Sequence, residues 1–277
     1  MSDLQISAET FHNQPCLRLR HSSGDSVLVA LHGAHVLSWT SGGVERLYLS
    51  PRSVFDGKTA IRGGVPVCFP QFNMRGPLPK HGFARNTSWT PVAQTVDALE
   101  FELHSDADTL AIWPHAFRAT LRIDLAPGVV EFGFSLQNLG NTPLDFALAL
   151  HTYLNVQDLA GLRLHGLAAQ PYWDDVAKTN RLEPGVVSFD GEVDRVYQTP
   201  AEPLVLVDGA QQLRIAQSEN LGDTVVWNPG AAKCATMADM PADGYLHMVC
   251  VEAAEVNTPV QLEPGAEWAG WQRLSLD

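Results

Sequence analysis

The amino-acid sequence predicts an all-β fold, a sandwich or barrel assembled from many short strands. Three observations point there. Apolar and polar residues alternate with a period of two in run after run. Clusters of Gly, Pro, Asn and Asp separate those runs. No stretch keeps a 3.6-residue apolar stripe for three turns, so helices should be few and short.

Along the chain, the first such runs lie at 26–30 and 99–104. The clearest begins at Phe117, where FRATLRIDL sends Phe117, Ala119, Leu121, Ile123 and Leu125 to one face and Arg118, Thr120, Arg122 and Asp124 to the other. After Ala126-Pro127-Gly128 the pattern returns as VVEFGFSLQ, with Val130, Phe132, Phe134 and Leu136 inward, which makes an antiparallel hairpin. Further runs follow at 144–151, 204–207, 212–216, 245–251 and 271–276, between turn clusters such as 138–143 and 228–230. No internal repeat, low-complexity tract or linker interrupts them, so residues 1–277 are expected to form a single domain.

Composition narrows the class. With 45% hydrophobic and 18% charged residues the chain can bury a sizeable core. Its 31 acids against 18 bases give a net charge of -13, which argues against nucleic acid or an anionic membrane as a partner. The first residues, MSDLQISAET, are polar, and no apolar run approaches the roughly 20 residues that span a bilayer. Cys16, Cys68, Cys234 and Cys250 form no C-x-x-C pair and are expected to be reduced core thiols in a cytoplasmic protein.

Charge is unevenly placed. Between Gly57 and Val96 there is no Asp or Glu, yet Lys58, Arg62, Arg75, Lys80 and Arg85 lie there, with His81 as a further group able to carry charge. Concentrated cations make a local field, and guanidinium forks suit phosphate oxygens. The same bases could equally decorate a long loop.

Several chemistries find little support. His32 and His35 are the closest histidine pair, but a strand puts i and i+3 on opposite faces and no third ligand follows. Gly63-Gly64 lacks the Gly-Lys-Ser/Thr ending of a phosphate loop, and no nucleophile elbow stands out. Acid–base chemistry is left. His151 shares a strand face with Ala147 and Ala149, which leaves room above the sheet, although a strand-end histidine can also simply be capped by backbone. Glu252 ends the apolar run LHMVCV, where a carboxylate is costly to bury unless paired or used; it could alternatively reach solvent. Asp194 signals little by itself.

The segments IRGGVPVCFPQF, KHGFARNTSW, LHTYLNV, EVDRVYQ, DTVVWNPG and VCVEAAEV occur in this order. Together they resemble the aldose 1-epimerase (mutarotase) superfamily, and within it the hexose-6-phosphate mutarotase (glucose-6-phosphate 1-epimerase) branch, over roughly residues 33–268. The resemblance implies a large antiparallel β-sandwich of the galactose-mutarotase type with the sugar on its concave sheet. It implies His151 as general acid and Glu252 as general base. It also implies that Arg62, Arg85 and Asp194 bind substrate, and that His81 opens a His-Gly-x-Ala-Arg motif. Lys80 departs from the Gln or Ser common at its position, although an ammonium suits a phosphate. The insert 72–79, with Arg75, has no residue-by-residue match.

The expected activity is therefore interconversion of the α and β anomers of a hexose 6-phosphate by a monomer, with no metal, nucleotide or other cofactor. A mutarotase for unphosphorylated aldoses and a non-catalytic carbohydrate-binding sandwich are the alternatives. A metal-dependent sugar isomerase is disfavoured by the missing ligand set.

Overall fold

The computed structural model describes residues 3–92 and 98–276 and consists of three antiparallel sheets. The first is a five-stranded meander, Leu4–Phe11, Gln14–His21, Ser26–Ala30, His35–Ser41 and Val44–Glu45. The second orders its eight strands as Arg163–His165, Leu204–Asp208, Gln211–Gln217, Glu267–Leu276, Val129–Asn138, Phe117–Ala126, Ala98–His104 and Thr90–Pro91. The third runs Thr179–Leu182, Pro171–Asp174, Val193–Gln198, Asp223–Asn228, Met248–Leu262, Leu144–Leu150 and Val67–Cys68, with Tyr153–Asn155 also paired to Met248–Leu262. Helix is confined to Ala107–Ile112, Gly230–Cys234 and two 3-10 turns among the described residues, as the missing helical periodicity requires. No described helix is long and apolar enough to cross a membrane.

The expected hairpin forms in the expected register. Phe117–Ala126 pairs with Val129–Asn138 from Ala126↔Val129 to Phe117↔Asn138, and burial alternates along both strands. Gly128 turns the chain at φ +69°, a conformation open to glycine at little cost.

Two runs differ in detail. The run 245–251 opens as a 3-10 turn, Gly244–His247, and its strand begins at Met248. Asn228 is the reason: its Nδ2 donates to the carbonyls of both Tyr245 and Met248 and pins the turn against the next strand. The run 144–151 ends as a strand at Leu150, and its pairing with Met248–Leu262 shifts register between Phe146 and Leu148. Side-chain parity survives the shift. Leu144, Phe146, Leu148 and Leu150 enter the main core. Ala147 and Ala149 face the other way, into a smaller cluster with Cys68, Phe72, Val225 and Ala254.

The acid-free segment is tied to the sheets by one aromatic ring. Phe69 is 0% exposed and lies 5.4–6.2 Å from the rings of Phe83, Trp113, Phe117, Phe134 and Phe146. Phe117 and Phe134 belong to the second sheet and Phe146 to the third, so this ring fills the space between layers. Gly82 closes the same region at φ +68°, where an added Cβ would meet the Phe69 carbonyl oxygen at 2.0 Å.

The two histidines of ALHGAHV serve the backbone. His32 Nε2 lies 3.3 Å from the Thr59 carbonyl, and buried His35 Nε2 donates to the Gly63 carbonyl at 2.7 Å. That bond holds the Gly63-Gly64 turn, whose glycines have φ +116° and +62° and press on the Tyr48 and Val36 carbonyls. Because Nε2 donates, His35 Nδ1 carries no proton, and it has no partner.

Truncating Phe69 to Ala should remove about 3–5 kcal/mol of stability in urea unfolding, the cost of emptying a fully buried aromatic site. Burial pushes the His35 pKa down to about 4, whereas the unfolded chain protonates it near pH 6.5. The unfolded state therefore binds more protons between those values, and stability must fall as pH drops from about 6.5 to about 4. His35 contributes about 3 kcal/mol to that fall. His35→Gln, which can keep the bond to Gly63, should flatten the slope of unfolding free energy against pH; equal slopes in the two proteins would refute the assignment.

Candidate active site

The strand Met248–Leu262 is buried on both faces over its first half. Val249, Val251 and Ala253 enter the main core, while Cys250, Glu252 and Ala254 point to the opposite side. Glu252 is thus a carboxylate at 1% exposure in the middle of a sheet, not at a solvated strand end. His151, 7% exposed, follows the neighbouring strand and brings its Nδ1 to 3.2 Å from Glu252 Oε1. The approach lacks hydrogen-bond alignment: His151 Nδ1 and Glu252 Oε2 are both buried without a partner. Aromatic neighbours fix the imidazole. Tyr153 stacks on it at 4.8 Å and 8°, Trp227 meets it edge-on at 6.0 Å, and His81 lies 5.6 Å away.

Burial dominates the protonation of this pair. It lowers the His151 pKa well below the usual histidine range, helped by His81, Arg62 and Arg85. It raises the Glu252 carboxyl well above the usual range, helped by Asp194 and opposed by Arg85. The 3.2 Å contact favours the charged forms, whereas desolvation favours the neutral ones. Desolvation is the stronger influence at such burial. Both shifts run toward the neutral forms of the two groups.

Around the pair is a cavity of about 320 Å³, lined among others by Arg62, Lys80, His81, Asp194, Trp227 and Lys233. Hollows of about 700 and 530 Å³ lie elsewhere, over the outer face near Trp271 and beside Phe11; the second is lined by His247, Asp243 and Glu45, but neither shows a histidine in contact with a carboxylate. The smaller cavity is therefore the candidate site.

The structure brings six of the seven expected residues to this cavity: His151, Glu252, Arg62, Lys80, His81 and Asp194. Arg85 is not among the lining residues. Its Nη2 donates to the Lys80 carbonyl at 3.1 Å, so it braces the segment that presents Lys80 and acts on the pair through its charge. Arg62 is held rigidly: Nε and Nη2 reach Asp239 Oδ2 at 3.1 and 3.0 Å, and Nη1 donates to the Tyr153 hydroxyl at 2.8 Å. Arg75 points away, to Asn257 Oδ1 at 2.9 Å, with its guanidinium over Phe72.

His81, a group able to carry charge by its type, is driven toward its neutral form. Burial, with Arg85, Lys80 and Arg62 nearby, pushes its pKa down to about 2. Its Nδ1 accepts from the Asn73 N–H at 3.2 Å, so the proton sits on Nε2 and the ring is a neutral donor. Asp194 moves the other way. Burial raises its pKa to about 6, partly offset by Lys233.

Sequence reasoning missed Lys233, Tyr153, Trp227 and Asp239. Lys233 rides on the five-residue helix Gly230–Cys234, too short to leave a periodic signal, and bonds Glu192 Oε1 at 2.6 Å with Asp194 Oδ2 at 3.9 Å. The one visible clue was Gly230, whose φ of +61° lets the helix start against the Glu192 backbone. A possible ligand set also went unseen: donor atoms of His151, Cys250 and Glu252 all lie within 4.8 Å of one another.

Comparison with known proteins agrees with this architecture. A family model described as Aldose 1-epimerase matches residues 15–275. A protein of Escherichia coli K12 named "Putative glucose-6-phosphate 1-epimerase" is 42% identical over 235 residues, covering 81% of this chain and 78% of the relative. One of the same name from Cenchrus ciliaris is 36% identical over 263 residues, covering 89% and 80%. The crystal structure of "a putative mutarotase (YeaD)" from Salmonella typhimurium superposes with a TM-score of 0.89 at 31% identity, covering 98% of this chain and 93% of the other. With a family match across nearly its whole length and relatives at this identity, the chain belongs to the aldose 1-epimerase family.

Proposed function

We propose that the protein is a hexose-6-phosphate mutarotase acting on glucose 6-phosphate. One observation carries this reading: a buried His–Glu pair 3.2 Å apart lines a cavity where Arg62, Lys80 and Lys233 converge, in a chain of net charge -13. Membership of the family supports the sugar and the reaction type. The cations support the phosphate.

The chemistry follows from the pair. With the carboxylate and the imidazolium present, Glu252 takes the proton from the anomeric hydroxyl while His151 delivers one to the ring oxygen. The C1–O5 bond breaks, an aldehyde forms, and both groups reach the neutral state that burial favours. Rotation about C1–C2 presents the other carbonyl face, and the two transfers reverse as the ring closes. The proton count is unchanged over the cycle. Neutral His81 offers its Nε2–H to a sugar oxygen, and Asp194 accepts from a hydroxyl. Arg62, fixed by Asp239 and Tyr153, presents a preformed donor to the phosphate, with Lys80 and Lys233 as point charges beside it. Arg85 supports Lys80 instead of forming a direct clamp with Arg62.

Freshly dissolved α-glucose 6-phosphate should reach anomeric equilibrium faster with the protein present, as followed by NMR exchange or a β-specific dehydrogenase. Glu252→Gln should lower turnover by about 10²–10⁴-fold with affinity largely kept. A rate unaffected by that substitution would sink the mechanism.

Arg62→Ala should raise KM for glucose 6-phosphate by about 10–100-fold, the worth of a charge-assisted hydrogen bond. Slow turnover of free glucose should barely change. Equal losses on both sugars would make Arg62 structural and favour an unphosphorylated aldose as substrate.

A further inference from the structure

The three donors around the pair suggest a second use for the same space. We propose that His151, Cys250 and Glu252 form an inhibitory site for a thiophilic divalent cation of the zinc class. The inhibition rests on the catalytic reading above; the binding does not.

Position comes first. Cys250 and Glu252 are two apart on one strand and project to the same side, and His151 enters from beyond the adjacent strand. Their donor atoms lie within 4.8 Å of one another, and His151 Nδ1 is already 3.2 Å from Glu252 Oε1. Tetrahedral zinc, at ~2.0–2.3 Å from N, O and S donors, needs them roughly 3.3–3.8 Å apart. Closing the remaining gap asks for shifts of about an ångström, within the reach of side-chain torsions.

Unmet valence is the second, independent observation. His151 Nδ1 and Glu252 Oε2 are buried polar atoms with no hydrogen-bond partner. Such orphans are uncommon and costly, and two of them converge here. The thiol is also unengaged: Cys16 and Cys234 donate their Sγ–H to the Gln14 and Pro241 carbonyls, but no described group accepts from Cys250. One nitrogen, one sulfur and one carboxylate oxygen make a three-ligand set; Cys250 is fully buried, whereas His151 and Glu252 line the cavity and leave a fourth position open on that side.

The donor types choose the metal. Imidazole and thiolate reward zinc and its soft neighbours, whereas magnesium and calcium prefer all-oxygen shells. Arg62, Lys80 and Lys233 repel any dication at the cavity mouth, so discrimination falls to the thiolate. On binding, Cys250 releases its proton and the metal occupies the lone pairs of His151 and Glu252, which stops both proton transfers.

The test uses chelator-treated protein titrated with cobalt(II), whose thiolate complexes give a near-ultraviolet charge-transfer band. Wild type should show this band at equimolar metal, Cys250→Ala should not, and zinc should abolish it by displacement. In the anomerisation assay zinc should inhibit wild type, while magnesium and calcium should not. Cys250→Ala should keep the metal-free rate. Outer-shell partners are already worth about 10–100-fold in metal affinity, so loss of the thiolate should weaken zinc inhibition by at least about 100-fold. If the Ala variant folds poorly, Cys250→Ser preserves the volume and tests the same ligand. A missing cobalt band, or one unchanged in the variants, would overturn the site. Should no sugar be turned over, the cobalt spectrum still decides whether the cation binds.

Discussion

The structure is organised around the burial of one carboxyl group. Glu252 sits on a strand whose neighbours enter hydrophobic clusters on both sides, and desolvation there penalises its charge more than any contact relieves it. A buried acid of this kind persists only where something requires it, since an apolar side chain of similar size would fold more easily. His151 is the natural counterpart. It is also buried and lies 3.2 Å away, and burial drives both groups toward their neutral forms. Tyr153 and Trp227 cover part of the imidazole with apolar surface. They also strengthen electrostatic interactions within the pair.

Holding that pair in place falls to the acid-free segment, which is not an idle loop. Phe69 locks it between the layers, the His35–Gly63 bond shapes its first turn, and Gly82 lets it return close to Phe69. From this frame Arg62 emerges with two partners already engaged. Lys80 and His81 emerge from a backbone that Arg85 and Asn73 tie down. Arg62 and His81 are therefore oriented before any ligand arrives, so little of their side-chain entropy is lost when one binds.

Much of the architecture could be read in advance because strand periodicity is a local property. The Phe117–Asn138 hairpin is visible in its own residues, and so is the placement of Ala147, Ala149 and His151 on one face. The 3-10 turn before Met248 was hidden, because its cause is the amide of Asn228, twenty residues upstream. The site divides in the same way. Its acid, base and first cations lie in segments distinctive enough to resemble a family. Lys233 and Asp239 acquire meaning only from what the fold places beside them, Glu192 and Asp194 in one case and Arg62 in the other. Arg85 shows the converse. Its sequence neighbourhood marked it as a ligand-facing group, but its guanidinium turns to the Lys80 carbonyl. The charge state of His81 was open in the sequence for a related reason, since burial and three nearby cations are not visible from its spacing.

Net charge and local charge have to be weighed on different length scales. At physiological ionic strength a surface charge is screened beyond about 8 Å, so most of the 31 acids are invisible from inside the cavity. What a ligand meets there is Arg62, Lys80 and Lys233, with Asp175 and Asp194 on the same wall. Asp194, with its pKa raised to about 6, is half-neutralised only near pH 6, and Lys233 is shared between it and Glu192. Lys80 is itself pushed below the usual lysine range by burial and by Arg85, Lys233 and Arg62. That repulsion falls on Lys80, and a dianion is the ligand that relieves it most. An uncharged hexose would leave it in place, so the cost of assembling these charges is itself an argument for a phosphorylated sugar.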